Sequence, residues 1–251
     1  MRIKYILSLL LTLVFLGGFV SFIQARPDHS FKLPLSATEV SDGVYSLGVR
    51  SDGLEGRAYV YRKGEARTSA RTPKAPKCYG FLASGARWKN TEPYVTDIVS
   101  TANESSLETW DSQVAFDIFG TQDAGASVDG ADTSAPDDKN ELYYGEISDP
   151  GVIGVTIVWG YFGGPPQNRR LIEWDMVLDN ADFSWGDTTL DSTVMDYQNI
   201  LTHELGHAAG LNDQYSSYCT EATMYGYATE GETKKRDLAP ADVTGVRELY
   251  R

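Results

Sequence analysis

The sequence predicts an α+β fold, and three stretches carry that prediction. Gly154-Val155-Thr156-Ile157-Val158-Trp159-Gly160 is β-branched and closed by glycines, the pattern of a strand. Residues 196–210 place Ile200, His203, Glu204, His207 and Ala208 at helical spacing behind Asp196, whose carboxylate can cap the first turn. Residues 240–250 open with Pro240, which suits a first helical turn, and set Val243, Val246 and Leu249-Tyr250 on one face.

Taken in order, the chain begins with Arg2 and Lys4, runs apolar from Tyr5 to Ile23, and reaches Gln24-Ala25-Arg26-Pro27. This is the pattern of a secretory signal peptide over residues 1–25, cut after Ala25. An uncleaved membrane anchor is the alternative. Either form is exported, and a cleaved form has no stable membrane span. Residues 26–77 read as an N-terminal extension or prosegment. Within it, Val44–Leu47 and Ala58–Tyr61 alternate as short strands around the turn Ser51-Asp52-Gly53. From Arg62 to Lys77, six basic side chains stand among small residues and two prolines. No core can form there, so the stretch reads as a linker, either processed or never cut.

Residues 78–251 are read as the functional domain. Trp88–Thr96 is expected as its first strand. Ile98, Val99, Ala102, Leu107 and Trp110 suggest a helix capped by Asp97, and Val114–Phe119 alternates as a second strand. The Gly/Asp/Ser-rich residues 121–140 read as a long loop. Its acids Asp123, Asp129, Asp132, Asp137 and Asp138 could bind calcium, although the spacing of a dedicated calcium loop is absent and solvated acids fit as well.

Charge divides along the same boundary. The 251 residues carry a formal net charge of −13, with +6 on residues 1–77 and −19 on residues 78–251. Such acidity argues against a nucleic-acid binder, because nothing overall neutralises phosphate. Residues 26–77 alone carry +4, so electrostatic docking of the extension on the acidic domain is expected. The two cysteines exclude a disulfide-dense scaffold and any four-cysteine zinc site.

The chemistry concentrates in His203-Glu204-Leu205-Gly206-His207. Two histidines four apart share one helix face and can bind one ion, with Glu204 beside them to handle a water without being a ligand. Gly210 stands where the helix must end for the chain to turn back, and Asp213 follows where the returning chain could offer a third ligand. His29, the remaining histidine, lies beside the signal segment, so a third protein ligand in this part must be an oxygen donor.

His203-Glu204-x-x-His207-x-x-Gly210-x-x-Asp213 resembles the extended zinc motif of the metzincin metallopeptidases, with aspartate where most members carry histidine. Met224, 11 residues after Asp213, resembles the metzincin methionine turn. Leu238, Asp242, Gly245-Val246 and Leu249-Tyr250 resemble the closing helix of the matrixins, with Ala241 in place of the first of two aspartates. That substitution puts in doubt an anchor for a mature N-terminus. Glu173–Leu178 and Phe183-Ser184-Trp185 resemble the matrixin strand that precedes the catalytic helix.

The resemblance implies a zincin-like domain over residues 78–251, with a twisted mixed sheet, about three helices and the active-site helix at 196–210. It implies a secreted, monomeric zinc endopeptidase acting on proteins or peptides. One catalytic zinc would be held by His203, His207 and Asp213, with Glu204 as general base. Residues 154–160 would be the edge strand that pairs with an extended substrate, an ordinary core strand being equally compatible. Tyr225 and Tyr227 would wall the substrate pocket. Apart from the resemblance, Cys78 and Cys219 are an even pair in an exported chain, which favours one disulfide. The alternative is a switch in which the Cys78 thiolate blocks the zinc, although Pro76-Lys77-Cys78-Tyr79-Gly80 lacks much of that family signature. The rival function is a catalytically inactive, zinc-stabilised extracellular binding protein. Retention of Glu204 argues against it, and no nucleophile-elbow or phosphate-loop motif supports another hydrolase.

Overall fold

The computed structural model describes residues 29–64 and 76–251. The signal segment 1–25 and most of the basic linker lie outside the described residues. The elements run β1 (Thr38–Ser41), β2 (Val44–Val49), β3 (Glu55–Lys63), β4 (Glu92–Thr96), α1 (Thr101–Asp111), β5 (Phe119–Gln122) and β6 (Asn140–Gly145). They continue with β7 (Val152–Tyr161), β8 (Arg170–Asp179), β9 (Trp185–Gly186), β10 (Met195–Asp196), α2 (Tyr197–Ala208), β11 (Tyr227–Ala228) and α3 (Pro240–Leu249). The mixed sheet and three α-helices are the expected α+β architecture. No helix among the described residues is long and apolar enough to cross a membrane.

One nine-stranded sheet organises the molecule in the order β1-β2-β3-β7-β8-β6-β4-β5, with β11 added beside β3. β5, β4, β6 and β8 run parallel, and β7 is antiparallel to β8. β7 is buried along nearly its whole length, which explains its continuous apolar run. On one face of the sheet, α1 and α2 enclose a core that includes Trp110, Ile200, Leu205 and Met224. On the other, Val60, Val155, Ile157, Trp159 and Val177 pack together beneath Phe31 and Leu54.

Three expectations shift. The helix near residue 100 is capped by Ser100, whose Oγ accepts the Ala102 N–H at 3.2 Å, so Asp97, Ile98 and Val99 lie outside it. Residues 114–118 are not a strand. Asp111 Oδ1 accepts the N–H groups of Ile118 (2.8 Å) and Phe119 (3.3 Å), which folds that segment onto the end of α1 and delays β5 to Phe119. Trp88 is likewise outside β4: it is buried and donates Nε1–H to the Ala208 carbonyl at 2.8 Å. The long loop stands close to its expected place, between β5 and β6, and Asn140–Gly145 forms β6 between β4 and β8.

The extension is built into this sheet. β3 pairs antiparallel with β7, from Glu55↔Gly160 to Arg62↔Val152. β7 is therefore an interior strand when the extension is in place, not an open edge. Cys78 and Cys219 are joined as a disulfide, so Cys78 is not a free thiol held over the site.

Candidate metal centre

α2 begins at Asp196, which accepts the Asn199 N–H at 2.9 Å and is held by Arg236 and by the Thr188 hydroxyl at 3.1 Å. The helix ends where expected. Gly210 has φ +105°, a left-handed conformation that a side chain disfavours, and it turns the chain back toward the helix. That return brings Asp213 against His203 and His207. All three are buried, and their donor atoms form one cluster able to hold an ion.

The donor geometry is specific. Asp213 Oδ1 lies 3.3 Å from His203 Nε2 and 3.5 Å from His207 Nε2. Zinc bonds of about 2.0–2.1 Å in a tetrahedron separate donor atoms by about 3.4 Å. These three atoms have no hydrogen-bond partner, although they are buried. The other ring nitrogens are engaged: His203 Nδ1 meets the Thr223 carbonyl at 2.8 Å and His207 Nδ1 meets that of Leu211 at 3.0 Å. Because a carbonyl only accepts, each Nδ1 carries the proton and each Nε2 presents a lone pair inward. The Tyr215 hydroxyl donates to Asp213 Oδ2 at 3.0 Å and orients the carboxylate. Burial disfavours ionised Asp213, but a proton on His207, with the contacts from both rings, outweighs it and holds the Asp213 pKa far below the ordinary value; the carboxylate raises His207 in return, and a bound ion would take that proton's place. Burial also lowers His203 to about 4, favouring the neutral ring that a metal requires.

Glu204 is fully buried beside these groups. Its Oε2 accepts from the Thr156 hydroxyl of β7 at 2.5 Å, while Oε1 has no partner. Burial pushes its pKa up to about 7, against the pull of His207 and Thr156. Met224 lies under the centre, packed so closely on Gly206 that a Cβ there would clash with its sulfur and with Trp110. The methionine turn is pinned from α3: Asp242 accepts the N–H groups of Thr223 (2.8 Å) and Met224 (3.2 Å).

Two tyrosines of the extension, which no motif singled out, face the three donor residues. Tyr61 stacks on His203 with ring centroids 3.8 Å apart, and Tyr59 stacks on His207 at 4.4 Å. The Tyr59 hydroxyl is another buried group without a partner. The Tyr61 hydroxyl meets the ammonium of Lys235, which is fully buried and also donates to the carbonyls of Tyr225 (2.8 Å) and Tyr227 (2.6 Å). The Tyr-x-Tyr alternation was the available signal, because it puts two rings on one face of a strand. Tyr225 and Tyr227 stand beside Lys235, each giving its carbonyl to the ammonium.

A second carboxylate group joins Asp132 of the long loop to Glu173 and Asp175 of β8, with one ligand oxygen of each within 4.8 Å of the others. Of the other loop acids named above, Asp129 and Asp137 pair instead with Lys139, at 2.5 and 2.8 Å.

The matrixin family model of the peptidases matches residues 163–251, which span β8, α2, the methionine turn and α3. Over these residues the chain is similar to the matrixins, a family of metzincin peptidases. Metalloendoproteinase 4-MMP of Arabidopsis thaliana is 27% identical over 254 residues, covering 92% of this chain. The matrixin-like chain spans 66% of that relative's length.

Proposed function

We propose that this chain is an exported zinc endopeptidase that its own N-terminal extension holds closed. The observation that carries the reading is the cluster of His203 Nε2, His207 Nε2 and Asp213 Oδ1, at zinc-like spacing beside a buried glutamate with a free oxygen. The relative's name, a metalloendoproteinase, points the same way. The disulfide suits an oxidising compartment and so supports export.

His203, His207 and Asp213 would hold the ion. Zinc bound there would polarise a peptide carbonyl and bring the pKa of a water towards ~7. Glu204 acts as general base. Thr156 fixes Oε2, leaving Oε1 to take the proton of the attacking water and return it to the departing amine. The sheet edge of β7 would bind substrate as an added strand, through main-chain hydrogen bonds. In the intact chain β3 takes that position and the two tyrosines cover the imidazoles.

The same coverage favours the rival reading, a zinc-stabilised binding protein, if β3 never leaves. Both readings meet in one experiment. The full chain is cut between Gly64 and Pro76 at an engineered protease site, and zinc content and casein cleavage are measured with and without a chelator. Cleavage that appears on cutting and vanishes in Glu204→Ala is expected. Stoichiometric zinc with no cleavage after the extension has dissociated would overturn the endopeptidase reading.

A further inference from the structure

β3 is an extended segment held as a bound peptide would be. It runs antiparallel to β7 on one side; on the other it pairs antiparallel with β2 over Glu55–Tyr59 and, past Tyr61, parallel with β11, where Arg62 and Lys63 meet Tyr227 and Ala228. Tyr61 is the side chain this arrangement delivers into a slot. The slot is floored by the His203 ring, which lies 11° from coplanar with the Tyr61 ring, and it ends at Lys235.

We propose that this slot selects the substrate side chain, and that Lys235 makes it select tyrosine. The inference rests on the endopeptidase reading and names its substrate class. An ammonium has three N–H donors. In Lys235, one goes to the Tyr225 carbonyl, one to that of Tyr227 and one to the Tyr61 hydroxyl. Removing Tyr61 takes one of these three close partners from a fully buried ammonium and leaves only the longer 3.4 Å contact with Glu232 Oε1 in its place. A leucine or phenylalanine entering the slot supplies no acceptor there, whereas a second tyrosine restores the bond at the same depth. A site built around a hydroxyl discriminates against the analogue that lacks it, because its own polar group is left unpaired. Glu232 Oε1 lies 3.4 Å from the ammonium and balances its charge. The slot therefore offers a hydrogen bond rather than a net positive charge, which favours the phenol over a carboxylate. A shorter acidic side chain also stops short of the ammonium.

The test uses the full chain cut between Gly64 and Pro76, so that the extension is held only by contacts. Peptides copying residues 52–63, with Tyr, Phe or Leu in place of Tyr61, compete for the site in a Glu204→Gln background that binds without cutting. The tyrosine peptide is expected to displace the extension at about 10-fold lower concentration than the other two. Lys235→Met should narrow that gap to within about twofold. Should Lys235→Met fail to fold, the comparison of tyrosine with phenylalanine on the Lys235 protein still decides. Equal potency there overturns the proposal. A parallel arm measures kcat/KM for peptides with tyrosine or phenylalanine at the cleavage site, using protein that keeps Glu204. Cleavage without preference for tyrosine refutes the slot and leaves the endopeptidase reading standing. Tyrosine-selective binding with no cleavage refutes the endopeptidase reading and supports the slot.

Discussion

Asp242→Ala should weaken the metal centre from a distance. Asp242 lies in the first turn of α3, is fully buried, and touches none of the three metal donors. Its two oxygens accept the N–H groups of Thr223 and Met224. The Thr223 carbonyl in turn fixes Nδ1 of His203. Alanine leaves two buried N–H groups unpaired. A hydrogen bond to a charged group is worth about 1.5–3 kcal/mol. Against that, the burial that raises the Asp242 pKa is relieved when the carboxylate goes. The net expected loss is about 3 kcal/mol, which for a domain of this size lowers Tm by about 6–12 °C.

Metal affinity should fall with it. A partner that orients a ligand typically contributes about 10–100-fold to binding, and Asp242 acts on His203 through the turn. Thermal unfolding followed by circular dichroism and zinc competition with a chelating dye read the two effects separately. Asp242→Asn, which keeps one accepting oxygen, should lose about half as much stability. A Tm within about 2 °C of wild type, together with unchanged zinc affinity, would refute the argument that α3 sets the methionine turn and through it the histidine.

Other outcomes follow from the same geometry. Glu204→Gln should retain stoichiometric zinc while kcat/KM falls about 10³-fold, measured on the cut chain; equal activity would remove the general base. Asp213→Ala should weaken zinc binding at least about 100-fold by competition assay, while Asp213→His should retain the ion and activity. Burial lifts Glu173 to about 8 and Glu141 to about 7 from an ordinary 4.5. A raised carboxylate pKa means the native state holds protons that the unfolded chain has released. Stability should therefore decline as pH rises from about 4.5 towards about 8 and level off beyond. Millimolar calcium, drawing on Asp132, Glu173 and Asp175, should reverse that loss at high pH in thermal melts. A flat pH profile, or no calcium effect at pH 8, would count against the cluster.

What could be read from the sequence was local. His203, Glu204, His207, Gly210 and Asp213 lie within eleven residues, and helix periodicity plus one glycine turn brings them together. The Asp196 cap and the Pro240 helix start were legible for the same reason. What escaped depends on partners far along the chain. β3 meets β7 across about a hundred residues, and nothing in either strand specifies the other. Lys235 sits between Lys234 and Arg236, a run that reads as a solvated basic patch, yet it alone is enclosed by Tyr61 and two carbonyls. Asp242 was recognisable as part of a helix pattern, but its acceptors' task requires the methionine turn to be in place. The second strand failed because its apolar alternation was diverted by Asp111, a polar contact that periodicity does not register.

The charge division between extension and domain also acquires a smaller role. Two ion pairs join β3 to the rest of the domain at its rim: Arg62 with Asp149 at 2.9 Å and Lys63 with Glu230 at 2.6 Å. Both pairs are substantially exposed, and such pairs contribute about 0–1 kcal/mol each. Beside them stand a full ladder of strand pairing with β7 and the burial of Ala58, Tyr59, Val60 and Tyr61. Salt screens the first contribution and strengthens apolar burial rather than weakening it. The extension of the cut chain should therefore stay bound at 1 M salt, its affinity changing by no more than about 30-fold, whereas moderate urea should release it. Size-exclusion chromatography of the cut chain at low and high salt makes the comparison. Separation driven by salt alone would return the docking to the basic segment and take it away from the sheet.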